Sequence, residues 1–408
     1  MPRAALAGSR GAHALVRAVH RGPRGGRGMS LAIPLFVPGP VTLSDAVMKA
    51  GASATVYHQG TEFGRLVAEV GRLVGEVLGT AEPVYCLAGT GTALLETVLR
   101  NVSAADEPVT VASNGYFGER LAETAGRLGL RVVHLRESWG APVSLPALRA
   151  ALEAGATSVY VVHHETSTGF VNDLAPIARL CRELSAVLVV DCISSAGALP
   201  VEMDRVGVDV AVMTSQKGVG GPPGVGLLAI SPRAWARAEA VGPPTTLAGD
   251  WSRMRAAALR TPTQALWTPP VTVVAALHAA LVERVVDVPL PETWRRTETV
   301  GVAMRQGLAA LGFRHLPTGA VAVPPVTATR PPEGVNATLL VEALRAYGVQ
   351  TGAGQGELAG EILRISHVGL ELFHVFGLLG GMEAALDDLR GSAGTAPAVR
   401  AARAWGAR

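Results

Sequence analysis

Lysine is almost missing from this 408-residue chain: of 36 basic residues, only Lys49 and Lys217 are lysines. Chemistry that needs a free side-chain amine therefore has two candidates. Cysteine is nearly as scarce. Cys86, Cys181 and Cys192 are an odd number, without Cys-x-x-Cys spacing, and all lie in apolar stretches. They read as reduced, buried core thiols of a cytoplasmic protein and not as a disulfide framework. Aromatic residues make up 4% of the chain and charged ones 17%. No uninterrupted apolar run reaches about 18 residues, which excludes a transmembrane helix.

Acid is absent from residues 1–28, which hold six arginines. The formal net charge of +3 comes from that segment, because the remaining residues carry 30 basic against 33 acidic groups. The body of the protein offers no net attraction to nucleic acid or to an anionic membrane. With no hydrophobic segment of the secretory kind, 1–28 reads as a disordered Arg/Gly-rich extension, with an organelle transit peptide as the alternative. Residues 391–408, small and basic, read as a flexible tail.

What the chain does have is aliphatic: 49% hydrophobic residues, dominated by Ala, Val and Leu, with 48 glycines. That composition excludes a disordered or solvating polymer and suits a large α/β core. Short apolar runs predict seven strands, at Val84–Leu87, Val109–Ser113, Arg131–Leu135, Ser158–Val162, Val187–Val190, Val210–Met213 and Val225–Ile230. Helical periodicity fills the gaps at Phe63–Leu78, Ala93–Asn101, Glu119–Leu128, Leu145–Ala154 and Leu174–Leu184. Such alternation implies a mainly parallel seven-stranded sheet covered on both faces, with ligands beyond the carboxyl ends of its strands. A Pro-rich stretch, 242–270, reads as irregular, and a long helical run covers Val271–Val285. The expected division is a large domain over 29–285, with an N-terminal arm, and a smaller α+β domain over 286–390.

Three strand ends carry the chemistry. Cys86-Leu-Ala-Gly-Thr-Gly-Thr-Ala93 runs from a strand through Gly-Thr-Gly-Thr into a helix, whose N-terminal N–H groups could cradle a phosphate. It lacks the Lys of a Walker loop and the third Gly of a dinucleotide fingerprint, so an ordinary strand–helix turn remains the alternative. Val187-Leu-Val-Val-Asp-Cys-Ile-Ser-Ser195 delivers Asp191 to a strand end, as a capping residue or as the partner of a cationic ring nitrogen. Val212-Met-Thr-Ser-Gln-Lys-Gly-Val-Gly-Gly-Pro-Pro-Gly224 brings Lys217 into a loop nearly free of side chains. Desolvation there lowers an amine's pKa and makes it a usable nucleophile. An anion site, a carboxylate and an amine at three strand ends are what pyridoxal phosphate requires.

Thr90-Gly-Thr92, Asn114-Gly-Tyr-Phe-Gly-Glu-Arg120, His164-Glu-Thr-Ser-Thr-Gly169, Asp191 and Ser215-Gln-Lys217 resemble the class V aminotransferases in order and spacing. The likeness is to the alanine–glyoxylate, serine–pyruvate and 2-aminoethylphosphonate–pyruvate branch. It runs from Pro38-Gly-Pro40 to Arg364-Ile-Ser-His-Val-Gly369. The resemblance implies fold type I and a homodimer whose active sites lie at the subunit interface. It also implies transfer of an amino group from a small amino acid or amine to a 2-oxo acid by ping-pong kinetics.

By motif position, Thr90, Gly91, Thr92 and Gln216 would hold the phosphate, Phe117 and Ile193 would flank the pyridine ring, and Thr166 would contact its polar edge. Asp191 would pair with the ring nitrogen and Lys217 would form the Schiff base. Thr268, in Trp267-Thr-Pro-Pro270, would reach the partner's phosphate, and Gly39 and Arg364 would bind substrate. Relatives often carry a phosphate-binding tyrosine three residues before that threonine; here the position is Ala265.

The same residues would also serve a pyridoxal-phosphate lyase, racemase, decarboxylase or oxygen-using enzyme. A cofactor-sensing regulator is remote, because 28 Gly-rich residues are too few for a winged helix-turn-helix. His164-Glu165 lacks the second His of a zinc-protease helix, so no metal is expected, and His163 and His164 read as structural. Ser194 and Ser195 lack the glycines of a nucleophile elbow.

Overall fold

The computed structural model describes residues 35–391 and 396–399, all within one compact unit. The expected extension at 1–28 and most of the tail lie outside the described residues. All seven expected strands are present, each end within one residue of its expected position, and they form one sheet. Its spatial order is Val84–Ala88, Val225–Ile230, Val210–Thr214, Val187–Asp191, Ser158–Val162, Pro108–Ser113, Arg131–Arg136. Only Val225–Ile230 runs antiparallel to its neighbours; the other pairings are parallel.

Burial on both faces explains why the central strands are unbroken apolar runs. Alternation survives inside them as a division between two core layers. Leu188, Val190, Ala211 and Met213 face one layer with Val70, Leu73, Val74 and Val77 of the helix Thr61–Leu78. Val187, Val189, Val210 and Val212 face the other, with Leu94, Leu95, Val98 and Leu99 of the helix Gly91–Val102. The edge strand Arg131–Arg136 starts and ends on exposed arginines, which discourages pairing with another chain.

A second, five-stranded sheet has the order Leu35–Phe36, Gln350–Ala353, Leu363–Ser366, Val326–Arg330, Arg314–His315. The helices Leu290–Ala310, Ala337–Arg345 and Leu372–Arg390 supply Met304, Leu308, Leu340, Leu344, Leu378 and Met382 to its core. The segment that carries Pro38 and Gly39 thus leaves this sheet and crosses to the end of the large one. Among the described residues no helix is long and apolar enough to cross a membrane.

Two local expectations are corrected. The stretch 242–270 contains a helix, Trp251–Ala258, started by Asp250, whose side chain accepts from Arg253 N at 3.1 Å. Trp251 is fully buried, edge-on to Trp235, so tertiary packing holds a helix that prolines on either side conceal. The run from Val271 is an α-helix only to Leu281 and continues as a π-helical turn, Val282–Asp287.

Candidate active site

The carboxyl ends of the central strands open on a cavity of about 200 Å³. Nine of the expected residues line it: Thr90, Gly91, Thr92, Phe117, Thr166, Asp191, Ile193, Gln216 and Lys217. Wider clefts of about 540 Å³ run along the helix Thr61–Leu78 and beside the edge strand, without any of these groups.

The floor is a helix start. Thr90 is the N-cap of Gly91–Val102, and its Oγ1 accepts from Ala93 N at 3.3 Å, leaving the earlier N–H groups to face outward. A Cβ on Gly91 would stand 2.4 Å from Ile193 Cδ1, so glycine is what lets the helix start close against that side chain. Asp191 ends its strand 5% exposed, and its Oδ1 accepts from Ile193 N at 2.9 Å. Burial pushes this carboxyl up to about 6, opposed by that hydrogen bond and by the cations Arg120 and Lys217.

Lys217 reaches in from the next strand end and donates from Nζ to Pro38 O at 2.7 Å. Burial, with the Arg364 charge nearby, lowers its amine to about 8. Its loop closes through Gly220 N to Lys217 O at 2.9 Å and Gly221 N to Ser215 O at 2.8 Å. A Cβ on Gly218 would stand 2.1 Å from Ala196 O, so the backbone can turn here only without a side chain. Gly39 is just as confined: φ is +137°, and a Cβ would meet Lys217 Cδ at 2.6 Å. It is therefore a contact of Lys217.

Arg364 is 7% exposed and has no carboxylate partner among the described residues. Nε donates to Ala353 O at 2.8 Å and Nη1 to Thr166 O at 3.4 Å, and burial lowers the guanidinium to about 10. Glu361, the nearby acid that could have explained a structural arginine, pairs with Arg330 at 2.7 Å. Thr268 alone stays away, exposed on the segment between Pro262 and Pro270.

Two cavity residues, Arg120 and His164, and one buried residue behind the wall, Glu165, escaped the sequence reading. Arg120 stacks its guanidinium over Phe117, 4.8 Å from the ring centre. Glu165 is fully buried and holds the start of the helix Tyr116–Arg127, whose N-cap Gly115 has no side chain to do so. Its carboxylate accepts from Phe117 N, Gly118 N, Ser167 N and Ser167 Oγ at 2.6–3.1 Å. The signal was Gly115, where a Cβ would stand 2.4 Å from Glu165 Cγ. His164, read as structural, lines the cavity. Its strand, His164–Glu165, is too short for a periodicity to show that.

A strand-end lysine with a depressed pKa, a buried strand-end carboxylate and a helix start meet in one cavity. The family model for class-V aminotransferases matches residues 44–367. The chain belongs to the class-V aminotransferases. It is 33% identical over 350 residues to the L-aspartate–glyoxylate aminotransferase of Paracoccus denitrificans, covering 82% of this chain and 86% of that one. The serine–glyoxylate aminotransferase of Methylorubrum extorquens is 32% identical over 374 residues, covering 87% and 91%. The crystal structure of an alanine–glyoxylate aminotransferase from Nostoc sp. superposes with a TM-score of 0.82 at 29% identity, covering 91% and 98%.

This class-V aminotransferase is a pyridoxal-phosphate-dependent transaminase of the α/β fold typical of such enzymes. Its cavity fits that cofactor. Thr166 Oγ1, Gln216 Oε1 and His164 Nε2 are buried and have no hydrogen-bond partner among the described residues, and all three belong to its walls. A ligand rich in polar edges would satisfy them.

Proposed function

We propose that the protein moves the amino group of a small amino acid to glyoxylate or pyruvate, with Lys217 carrying the proton and Arg364 choosing the substrate. The observation behind this reading is a buried guanidinium without an acid, close to a lysine poised near neutral pH. An unpaired buried cation is costly, and a substrate carboxylate taking two parallel hydrogen bonds offsets that cost. Relatives whose names specify glyoxylate support the acceptor.

When bound, the cofactor supplies an aldehyde carbon for amines and a ring that accepts the electron pair released with the α-proton. Lys217 Nζ would hold the cofactor by its aldehyde carbon and, as a free amine, would carry the α-proton between the substrate and the cofactor carbon. A pKa of about 8 leaves a working fraction of free amine at neutral pH. Asp191 would pair with the ring nitrogen and hold its proton. Phe117 and Ile193 would flank the ring and exclude water. The helix start at Gly91, with Thr90, Thr92 and Gln216, would hold the phosphate. Gly39 admits the substrate beside Lys217.

Two further parts complete the reading. The protein acts as a homodimer, with Thr268 of one protomer serving the partner's phosphate. Support comes from exposed apolar side chains: Trp267, next to it in sequence, at 50%, with Tyr57 at 67% and Leu259 at 75%. The enzyme works in the cytoplasm, where the free thiols Cys86, Cys181 and Cys192 stay reduced.

The deciding experiment incubates the protein with serine, alanine or aspartate and with glyoxylate or pyruvate. One mole of new amino acid per mole of keto product is expected. Loss of the donor without amination of the acceptor would replace transamination by a lyase, racemase, decarboxylase or oxygen-using reaction on the same residues.

A further inference from the structure

His164 has no part in the reading above, yet its position and its tautomer are both determined. The strand register pairs Val162 with Asp191, and two residues beyond His164 the carbonyl of Thr166 accepts from Arg364. Val162, His164 and Thr166 all line the cavity. His164 therefore sits between the carboxylate end of the site and its guanidinium end.

Its Nδ1 lies 3.2 Å from Ser194 O. A carbonyl oxygen can only accept, so Nδ1 carries the hydrogen. The residue is 1% exposed, and burial lowers its pKa to about 4, with the Lys217 charge acting in the same direction. The ring is neutral at physiological pH and Nε2 presents a bare lone pair. That atom has no hydrogen-bond partner among the described residues. A buried acceptor left without a donor costs about 1–3 kcal/mol, so the compensating donor belongs to what binds here.

The inference rests on the proposed placement of the cofactor. With the ring nitrogen at Asp191, the aldehyde carbon at Lys217 and the phosphate at the Gly91 helix start, one edge remains for the wall of His164. It is the edge that carries the ring hydroxyl. We propose that His164 contacts the cofactor there, its Nε2 accepting the proton carried on the hydroxyl edge while Thr166 Oγ1 donates to the oxygen. Donor and acceptor together give both orphaned atoms a partner. An acceptor in that place stabilises the protonated form of the edge and opposes its loss. Removing the acceptor should make the proton leave at lower pH.

The test is the pH titration of the visible absorbance of the cofactor-loaded protein. His164→Phe keeps a flat ring and removes the acceptor, and its midpoint should fall by about one unit. Its cofactor dissociation constant should rise roughly 5- to 30-fold. His164→Gln places an amide oxygen at similar reach and should return the midpoint most of the way to wild type. The other groups around the site are unchanged in both variants: Arg120, Asp191, Lys217 and Arg364, with Glu165, His163 and His367 behind them. His164→Phe also removes the N–H donated to Ser194 O and should lower the melting temperature of the cofactor-free protein, whereas the midpoint reports the lost acceptor.

An unshifted midpoint in His164→Phe, or an equal shift in His164→Gln, overturns the proposal. If His164→Phe fails to fold, the Gln variant still decides: its midpoint must lie close to that of wild type, and a fall of about one unit overturns the proposal. Failure of the wild-type protein to bind the cofactor would instead overturn the functional reading on which this inference stands.

Discussion

Lys217 and Lys49 differ only in what surrounds them. Lys49 lies exposed in the last turn of the helix Asp45–Gly51, whereas Lys217 is pressed between Gly39 and the Asp191 strand end. Borohydride reduction of the loaded protein should therefore fix the cofactor to Lys217 alone, as read by peptide mapping. Label on Lys49 would remove the proposed mechanism. Asp191 makes a second residue-scale prediction. Its folded pKa of about 6 lies above the ordinary 3.8, so between those values the folded protein binds more protons than the unfolded one. Stability of the cofactor-free protein should then fall as pH rises from about 4 to about 6, by up to about 3 kcal/mol. Asp191→Asn should abolish that loss and melt higher than wild type above pH 6, while cofactor affinity and turnover drop by orders of magnitude. Equal melting profiles would mean that the carboxyl is not strained in the empty site. Arg364→Lys should raise KM for the amino donor about 10- to 100-fold with the cofactor spectrum intact, because a point charge cannot reproduce a bidentate fork. Wild-type KM would place the substrate carboxylate elsewhere.

At the scale of the element, the helix Tyr116–Arg127 shows how far a cap can lie from the helix it serves. Gly115 leaves space for Glu165, 47 and 48 residues from the two amides that it accepts from. Glu165→Gln presents an NH₂ group to donors and leaves at least one buried N–H unpaired, at about 2 kcal/mol. Hydrogen exchange at Phe117 and Gly118 should accelerate accordingly, and the Phe117 ring should lose its fixed position in the cavity wall. Unchanged exchange at both amides would argue that the helix start holds itself.

For the whole molecule, the exposed Tyr57, Leu259 and Trp267 are large apolar side chains that a lone protomer would leave wet. Sedimentation should give twice the protomer mass of 42.0 kDa, and Leu259→Asp should shift the protein towards monomer with loss of cofactor. A wild-type protein that sediments as a monomer would leave Thr268 without a proposed role.

The seven strands of the large sheet were legible because residues buried on both faces must be apolar throughout, and a run such as Val187-Leu-Val-Val says so without its neighbours. Asp191 stood out for the same reason, as a polar residue directly after such a run, and Lys217 as one of two lysines, entering a Gly-rich loop soon after another. The helix Trp251–Ala258 was hidden because its stability comes from Trp235 and not from its own periodicity. His164 was illegible as a site residue, since nothing local marks which side of a short strand faces a cavity, and Glu165 as a cap, since the helix that it serves is about 47 residues away. Arg364 and Thr166 are 198 residues apart and meet only because one sheet delivers its strand to the carboxyl end of another. Local sequence determines which residues are buried and in what periodicity, because that depends on solvent and near neighbours. Which buried polar atoms find partners, and which are left to bind something else, depends on how the crossovers bring distant strands together, and only the tertiary structure decides it.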